Sequence, residues 1–237
     1  MSPSGTPTDA AGQAAWLEAA SDQWDQLVNE LRPVTDWSAP VPTCPGWTID
    51  HLVGHLAGLG PWIEAALTAE ERPAWPAQPP PDDRAGWVRR NADALLQALR
   101  ERPFDAPAWT LWPPRLTAFW PRRLTHELAI HRFDLAQALA GPGQAAAWEV
   151  PDWLALDGLD EAMFGNWPRQ IARGSSSASP GAVQLVAQTG PDTPATVLTV
   201  PGTDPAADPI VAEGSPRQLY LAVWGRGQDF GLPRMTS

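Results

Sequence analysis

The sequence predicts an α+β protein: a four-helix bundle over residues 1–143, then a small α+β domain over residues 144–237. Three observations carry this reading. The first 140 residues hold four helical patterns, and in the first of them apolar side chains recur three and four apart, the period of one helix face. Proline-rich stretches separate the four, as stiff loops between helices do. Past Gly141 the composition shifts, and the apolar–polar alternation of half-buried strands appears for the first time.

Each element follows in order. Residues 1–8 read as a loose tail. Trp16, Ala20, Trp24, Leu27 and Leu31 mark one face of a helix from Asp9 to Arg32, and Pro33 stops it. Residues 33–47 carry four prolines in fifteen positions and read as an ordered loop. Thr48 is a good N-cap for the second helix. Gly58, Gly60 and Pro61 predict an interruption, with the helix resuming over Trp62–Glu71. Five prolines in residues 72–82 make the next loop. Asp82 or Asp83 caps a third helix that reaches about Arg100, with Trp87, Leu95 and Leu99 as core candidates. After a loop rich in Trp and Pro, the fourth helix runs from about Trp120 to Ala140. Pro121 suits its first turn, and Gly141–Pro142 suits its end. Residues 141–150 read as a linker, 151–171 as a helix and 174–181 as a flexible loop. Val183, Leu185 and Ala187 alternate as a strand, residues 195–200 form a second and 209–213 a third. Ser215 caps a last helix.

Composition excludes several functions. The chain of 237 residues has 16 basic and 27 acidic side chains, a net charge of −11, which argues against nucleic acid and anionic membranes as partners. All the cations are arginine, so neither Schiff-base chemistry nor a phosphate-loop lysine is available. Cys44 is the only cysteine, so no internal disulfide can form, and the expected setting is cytoplasmic. The start of the chain has no signal-peptide pattern, and no stretch approaches the ~20 apolar residues of a membrane span.

Histidine chemistry has four candidates, His51, His55, His126 and His131. Glu127 and His131 lie four apart on the fourth helix, one turn above each other on one face. His126 points about 100° away from Glu127. A bundle can bring His55 of the second helix to the Glu127/His131 pair. Two imidazoles and one carboxylate, with positions left for water or substrate, match catalytic divalent-metal sites. On spacing alone such a pair often means only a surface contact. The fourth helix also packs His126, Glu127, His131, Arg132 and Asp134 into nine residues, which is costly inside a bundle unless the charges are paired or metal-bound. Arg132 and Asp134 could orient His131 or pair with each other. Trp47, Trp109, Trp112 and Trp120 lie near loops flanking this site, where some could line a pocket. Cys44 reads as a small packed residue rather than a nucleophile.

The stretch Cys44-Pro45-Gly46-Trp47-Thr48-Ile49-Asp50-His51-Leu52-Val53-Gly54-His55 resembles the N-terminal signature of the mycothiol-dependent maleylpyruvate isomerase family, whose fold is a DinB-like metal-binding four-helix bundle. His126-Glu127-Leu128-Ala129-Ile130-His131-Arg132-Phe133-Asp134 resembles the second motif of that family, and the Trp224-Gly225-Arg226 ending is similar to its C-terminal domain. The resemblance implies a divalent metal, zinc or else nickel, held by His55, Glu127 and His131. It implies a low-molecular-weight thiol such as mycothiol as cofactor, and a transferase or isomerase acting on a small electrophilic substrate. It also implies that Arg226 holds an acidic group of thiol or substrate. Trp47 is then a cofactor contact, and His126 a catalytic-site group supporting the metal or touching substrate. His51 stands where the family often has Asp. The expected assembly is a monomer or weak homodimer. Two alternatives share these residues: a metallohydrolase that activates water at the same site, and a non-catalytic module that binds metal or a small ligand.

Overall fold

The structure, a computed structural model, describes residues 5–76, 81–141 and 147–233. The middle of the expected linker and part of the second proline loop lie outside the described residues. The chain divides into two compact units, Met1–Trp148 and Glu149–Ser237.

The first unit is built on four helices: α1 (Ala10–Leu31), α2 (Ile49–Ala66), α3 (Arg84–Glu101) and α4 (Phe119–Ala140). Three of them start on side-chain caps. Asp9 accepts from Gly12 N, Thr48 from His51 N and Asp83 from Gly86 N. Each cap satisfies a backbone N–H that has no partner within the helix. His51 completes the cap of α2, because its Nδ1 accepts from Thr48 N. It is therefore a first-turn capping residue. The predicted stripe of α1, Trp16 to Leu31, is buried throughout. α4 packs against α1 and α2, and α3 packs against the same two. Every residue from Phe119 to Leu135 of α4 is buried, and Leu124, Leu128 and Leu135 join the core of the bundle. The unit ends at Trp148, whose indole N–H donates to Ala129 O on α4.

Helix α2 corrects one expectation. It runs unbroken through Gly58, Gly60 and Pro61. Proline removes one intrahelical hydrogen bond, but Leu52, Leu56, Trp62 and Ile63 on either side are buried in the core and hold the helix together. The glycines serve packing rather than breakage. A Cβ on Gly60 would lie 2.8 Å from the Asn91 carbonyl oxygen of α3, and one on Gly58 would lie 2.8 Å from the Trp75 ring. The core candidates of α3 hold for Leu95 and Leu99, whereas Trp87 is only partly buried and Val88 takes the core position.

In the second unit the expected helix over 151–171 is three segments: α5 (Asp152–Asp160), a π-helical segment (Glu161–Asn166) and α6 (Trp167–Ala172). Pro168 has no N–H to donate, and its ring disfavours a tight preceding turn, which the wider π turns accommodate. Three strands form at the expected places: β1 (Val183–Ala187), where alternation put it, β2 (Thr196–Val200) and β3 (Ile210–Gly214). Their order is β2-β1-β3, with β1 antiparallel to β2 and parallel to β3. Central β1 buries Val183, Leu185 and Ala187. Helix α7 (Pro216–Val223) starts on a Ser215–Gln218 capping box and packs against α5.

Gly60→Ala is expected to destabilise the chain by about 1–3 kcal/mol, because the added methyl meets backbone that cannot turn aside. Urea unfolding should show a lowered midpoint at unchanged slope.

Candidate metal centre

The periodicity of α4 puts Arg123, Glu127 and His131 one turn apart on a single face. α2 packs against that face and presents His55 to it. His55 Nε2 lies 3.0 Å from Glu127 Oε1, and His131 Nε2 lies 3.3 Å from the same oxygen. The two imidazole rings meet edge to face, with centroids 4.8 Å apart. All three donor atoms lie within 4.8 Å of one another. Ligands about 2.1 Å from a tetrahedral ion stand roughly 3.4 Å apart. The spacing and the donor set therefore fit a divalent cation bound by two imidazole nitrogens and one carboxylate oxygen.

The surroundings prepare these atoms for that role. Glu127 uses its other oxygen, Oε2, to accept from Arg123. The guanidinium partly neutralises the buried carboxylate and leaves Oε1 facing the imidazoles. Behind His131, Asp134 Oδ2 lies 2.8 Å from Nδ1. A carboxylate there can hold a proton on Nδ1, which would leave Nε2 to a bound cation. Cys44 Sγ donates to the same Asp134 oxygen at 3.3 Å. Arg132 turns the other way and pairs with Glu30 and Gln23 of α1. Of the two residues expected to orient His131, Asp134 does so and Arg132 ties α4 to α1.

Aromatic rings wall the site. Trp47 lies 5.3 Å from His55 and stacks on His131 at 6.2 Å and 15°. Trp75 stacks on His55 at 5.3 Å and 9°, over the space that Gly58 leaves without a Cβ. The His55 side chain is 23% exposed and that of His131 is 2%, so the group opens on its His55 side. Trp109 and Trp120 belong to a further cluster around Trp62, and Trp112 packs on Phe119.

The remaining expected site residues are His126 and Arg226. His126 is fully buried with its ring edge-on to Trp16 of α1, so it is not one of the three converging groups. Arg226 follows α7 in the second unit, where its guanidinium donates to Trp224 O. Two neighbours escaped sequence reasoning. Arg123 was readable, because it sits four residues before Glu127. Trp75 was not, because it lies in a proline-rich loop without periodicity. Cys44 packs against the core of the first unit, as expected, and its thiol also donates to Asp134.

Burial, then the neighbouring His131 and Arg123, pushes His55 down from 6.5 to about 3. The ring is therefore neutral at physiological pH, as a metal ligand must be. The unfolded chain takes up a proton near pH 6.5 that the folded chain refuses until about pH 3. The metal-free protein should therefore lose stability as pH falls through that window. The difference between urea unfolding at pH 7 and pH 5 should shrink in His55→Gln.

The mycothiol maleylpyruvate isomerase N-terminal domain matches residues 17–136, a span that contains all three converging groups. Two uncharacterized proteins of Mycobacterium tuberculosis, MT0041 and Rv0036c, are 28% identical to the chain over 233 residues, covering 90% of it and 80% of each of them. Crystal structures of the mycothiol-dependent maleylpyruvate isomerase and of a mutant of it align with TM-scores of 0.60 and 0.66, at 20% and 19% identity, over 92% of this chain and 90% of those chains. At that identity the likeness speaks for a shared α+β fold. With its matched span covering half of the sequence, the chain belongs to the mycothiol maleylpyruvate isomerase family.

Proposed function

We propose that this protein is a divalent-metal-dependent enzyme that uses a low-molecular-weight thiol of the mycothiol kind to isomerise, or to transfer the thiol to, a small electrophilic substrate. The observation that carries the reading is the convergence of His55 Nε2, Glu127 Oε1 and His131 Nε2 beneath Trp47, in a chain of this family. Zinc is the expected ion, with nickel compatible with the same donors.

A divalent ion held by these residues would lower the pKa of a coordinated thiol and so supply a nucleophile at neutral pH. The chain's own residues do the rest. Neutral His55 and the His131 tautomer fixed by Asp134 both offer lone pairs to one point. Arg123 restrains Glu127, keeping the carboxylate in place without a second mobile cation at the centre. Trp47 and Trp75 present flat apolar faces that restrict water around His55 and favour a planar conjugated electrophile. Arg123 is committed to Glu127, so an acidic group on thiol or substrate needs another cation, and the family resemblance assigns that role to Arg226. His126, buried on Trp16, supports packing in this reading. We place the enzyme in the cytoplasm, consistent with its single cysteine; among the described residues no helix is long and apolar enough to cross a membrane.

Elemental analysis should find about one divalent ion per chain in the wild type and almost none in His131→Ala or Glu127→Gln. The same variants should lose at least about 100-fold in thiol-dependent turnover of an activated alkene. Turnover that persists without any added thiol would favour a hydrolase at the same residues. Full metal content and turnover in both variants would overturn the proposal.

A further inference from the structure

The loop before α2 approaches His131 from two directions. Its backbone closes on itself: Val41 N donates to Trp47 O at 2.9 Å, Cys44 N to Val41 O at 3.0 Å and Trp47 N to Cys44 O at 2.9 Å. Gly46 adopts φ +84°, a conformation that side chains rarely allow, and lets the turn close. An isolated bridge between Pro40 and Thr48 ties the base of this turn to the start of α2. Cys44 and Trp47 are thus fixed relative to each other. Trp47 lies on the face of the His131 ring, 15° from parallel. Cys44 reaches the ring's edge indirectly, through Asp134 Oδ2, the oxygen that also meets His131 Nδ1.

We propose that the turn from Val41 to Trp47 is a positioning clamp for His131, with the Cys44 thiol as its polar arm. The inference rests on the metal-centre reading above. Asp134 is fully buried, and a buried carboxylate must be satisfied by donors to stay ionised. The Cys44 S–H and the His131 Nδ1–H supply two donors to one oxygen. With Asp134 held in this way, the ring cannot flip its edge, and with Trp47 on its face it cannot tilt. His131 Nε2 is then aimed at Glu127 Oε1 and His55 before any ion arrives. Cys44 and Trp47 act through His131 and are positioning residues. The arrangement predicts that a hydroxyl can replace the thiol, whereas a methyl cannot.

The test uses full-length protein loaded with cobalt(II), whose visible spectrum reports ligand geometry and whose affinity is read by competition with a chelator. Cys44→Ala should weaken cobalt binding roughly 10-fold or more, the scale expected for losing an outer partner of a metal-bound histidine, and should alter the visible bands. Cys44→Ser should restore affinity to within about 3-fold together with the wild-type spectrum. Both variants keep a small side chain in the turn, and thermal unfolding of the metal-free forms confirms that each is folded. A loss of fold alone would not be rescued in the spectrum by serine. The proposal is overturned if Cys44→Ala matches wild type in affinity and spectrum, or if serine fails as badly as alanine. It is also overturned if wild type shows a sulfur-to-cobalt charge-transfer band that vanishes in Cys44→Ser. That band would make Cys44 a ligand, an arrangement its 4.8 Å grouping with His131 and Asp134 would allow. Wild-type protein that binds no cobalt overturns both this inference and the metal-centre reading, whereas wild-type binding with unaffected Cys44 variants overturns this inference alone.

Discussion

Glu127 holds the first unit's chemistry together. Its carboxylate is buried on a helix that is itself buried from Phe119 to Leu135, and an isolated charge there would cost several kcal/mol. One oxygen is satisfied by Arg123 and the other faces two imidazoles. This demand fixes its neighbours. Arg123 must sit one turn earlier, His131 one turn later, and α2 must come close enough for His55 to complete the set. The same requirement recurs along α4, where Arg132 is matched by Glu30 and Gln23 and Asp134 by His131 and Cys44. Arg123, Glu127, Arg132 and Asp134 can be buried on one helix because each finds a partner on another turn or another element.

Close packing at small residues lets those partners meet. Gly60 allows the α3 backbone to approach α2, and Gly58 leaves room for Trp75 to lie on His55. Neither glycine has a special backbone angle, so the value of each lies in the missing methyl group. The site's shape follows from that economy of volume. Flat indoles cover His55 and His131, and the buried polar row lies beneath them. In such a low-dielectric setting two imidazoles and a restrained carboxylate converge on one point, the donor set that suits a divalent cation.

Much of this was legible in the chain. The stripe Trp16–Leu31 gave α1, Thr48 and Asp83 gave the starts of α2 and α3, and alternation at Val183, Leu185 and Ala187 gave the central strand. These signals are local, set by periodicity and capping, and tertiary packing agreed with them. Where packing opposed a local signal, packing prevailed. Pro61 and two glycines failed to break α2 because the flanking side chains are buried. The predicted helix after residue 150 widened into a π segment next to Pro168, a change of register that no apolar period encodes.

The sequence by itself determined which residues could meet: spacing put Glu127 and His131 on one face, and composition left only four histidines to join them. Tertiary structure decided what each does. It assigned His51 to a helix cap, His126 to the α1 packing face and His55 to the converging group of candidate ligands. It also brought Trp75, from a loop without periodicity, and the Cys44 thiol to the same centre. The physical reason is one of range. Helical period and capping act over a few residues, so they can be read along the chain. The partner of a buried charge is chosen by proximity in space, which only the packed helices define.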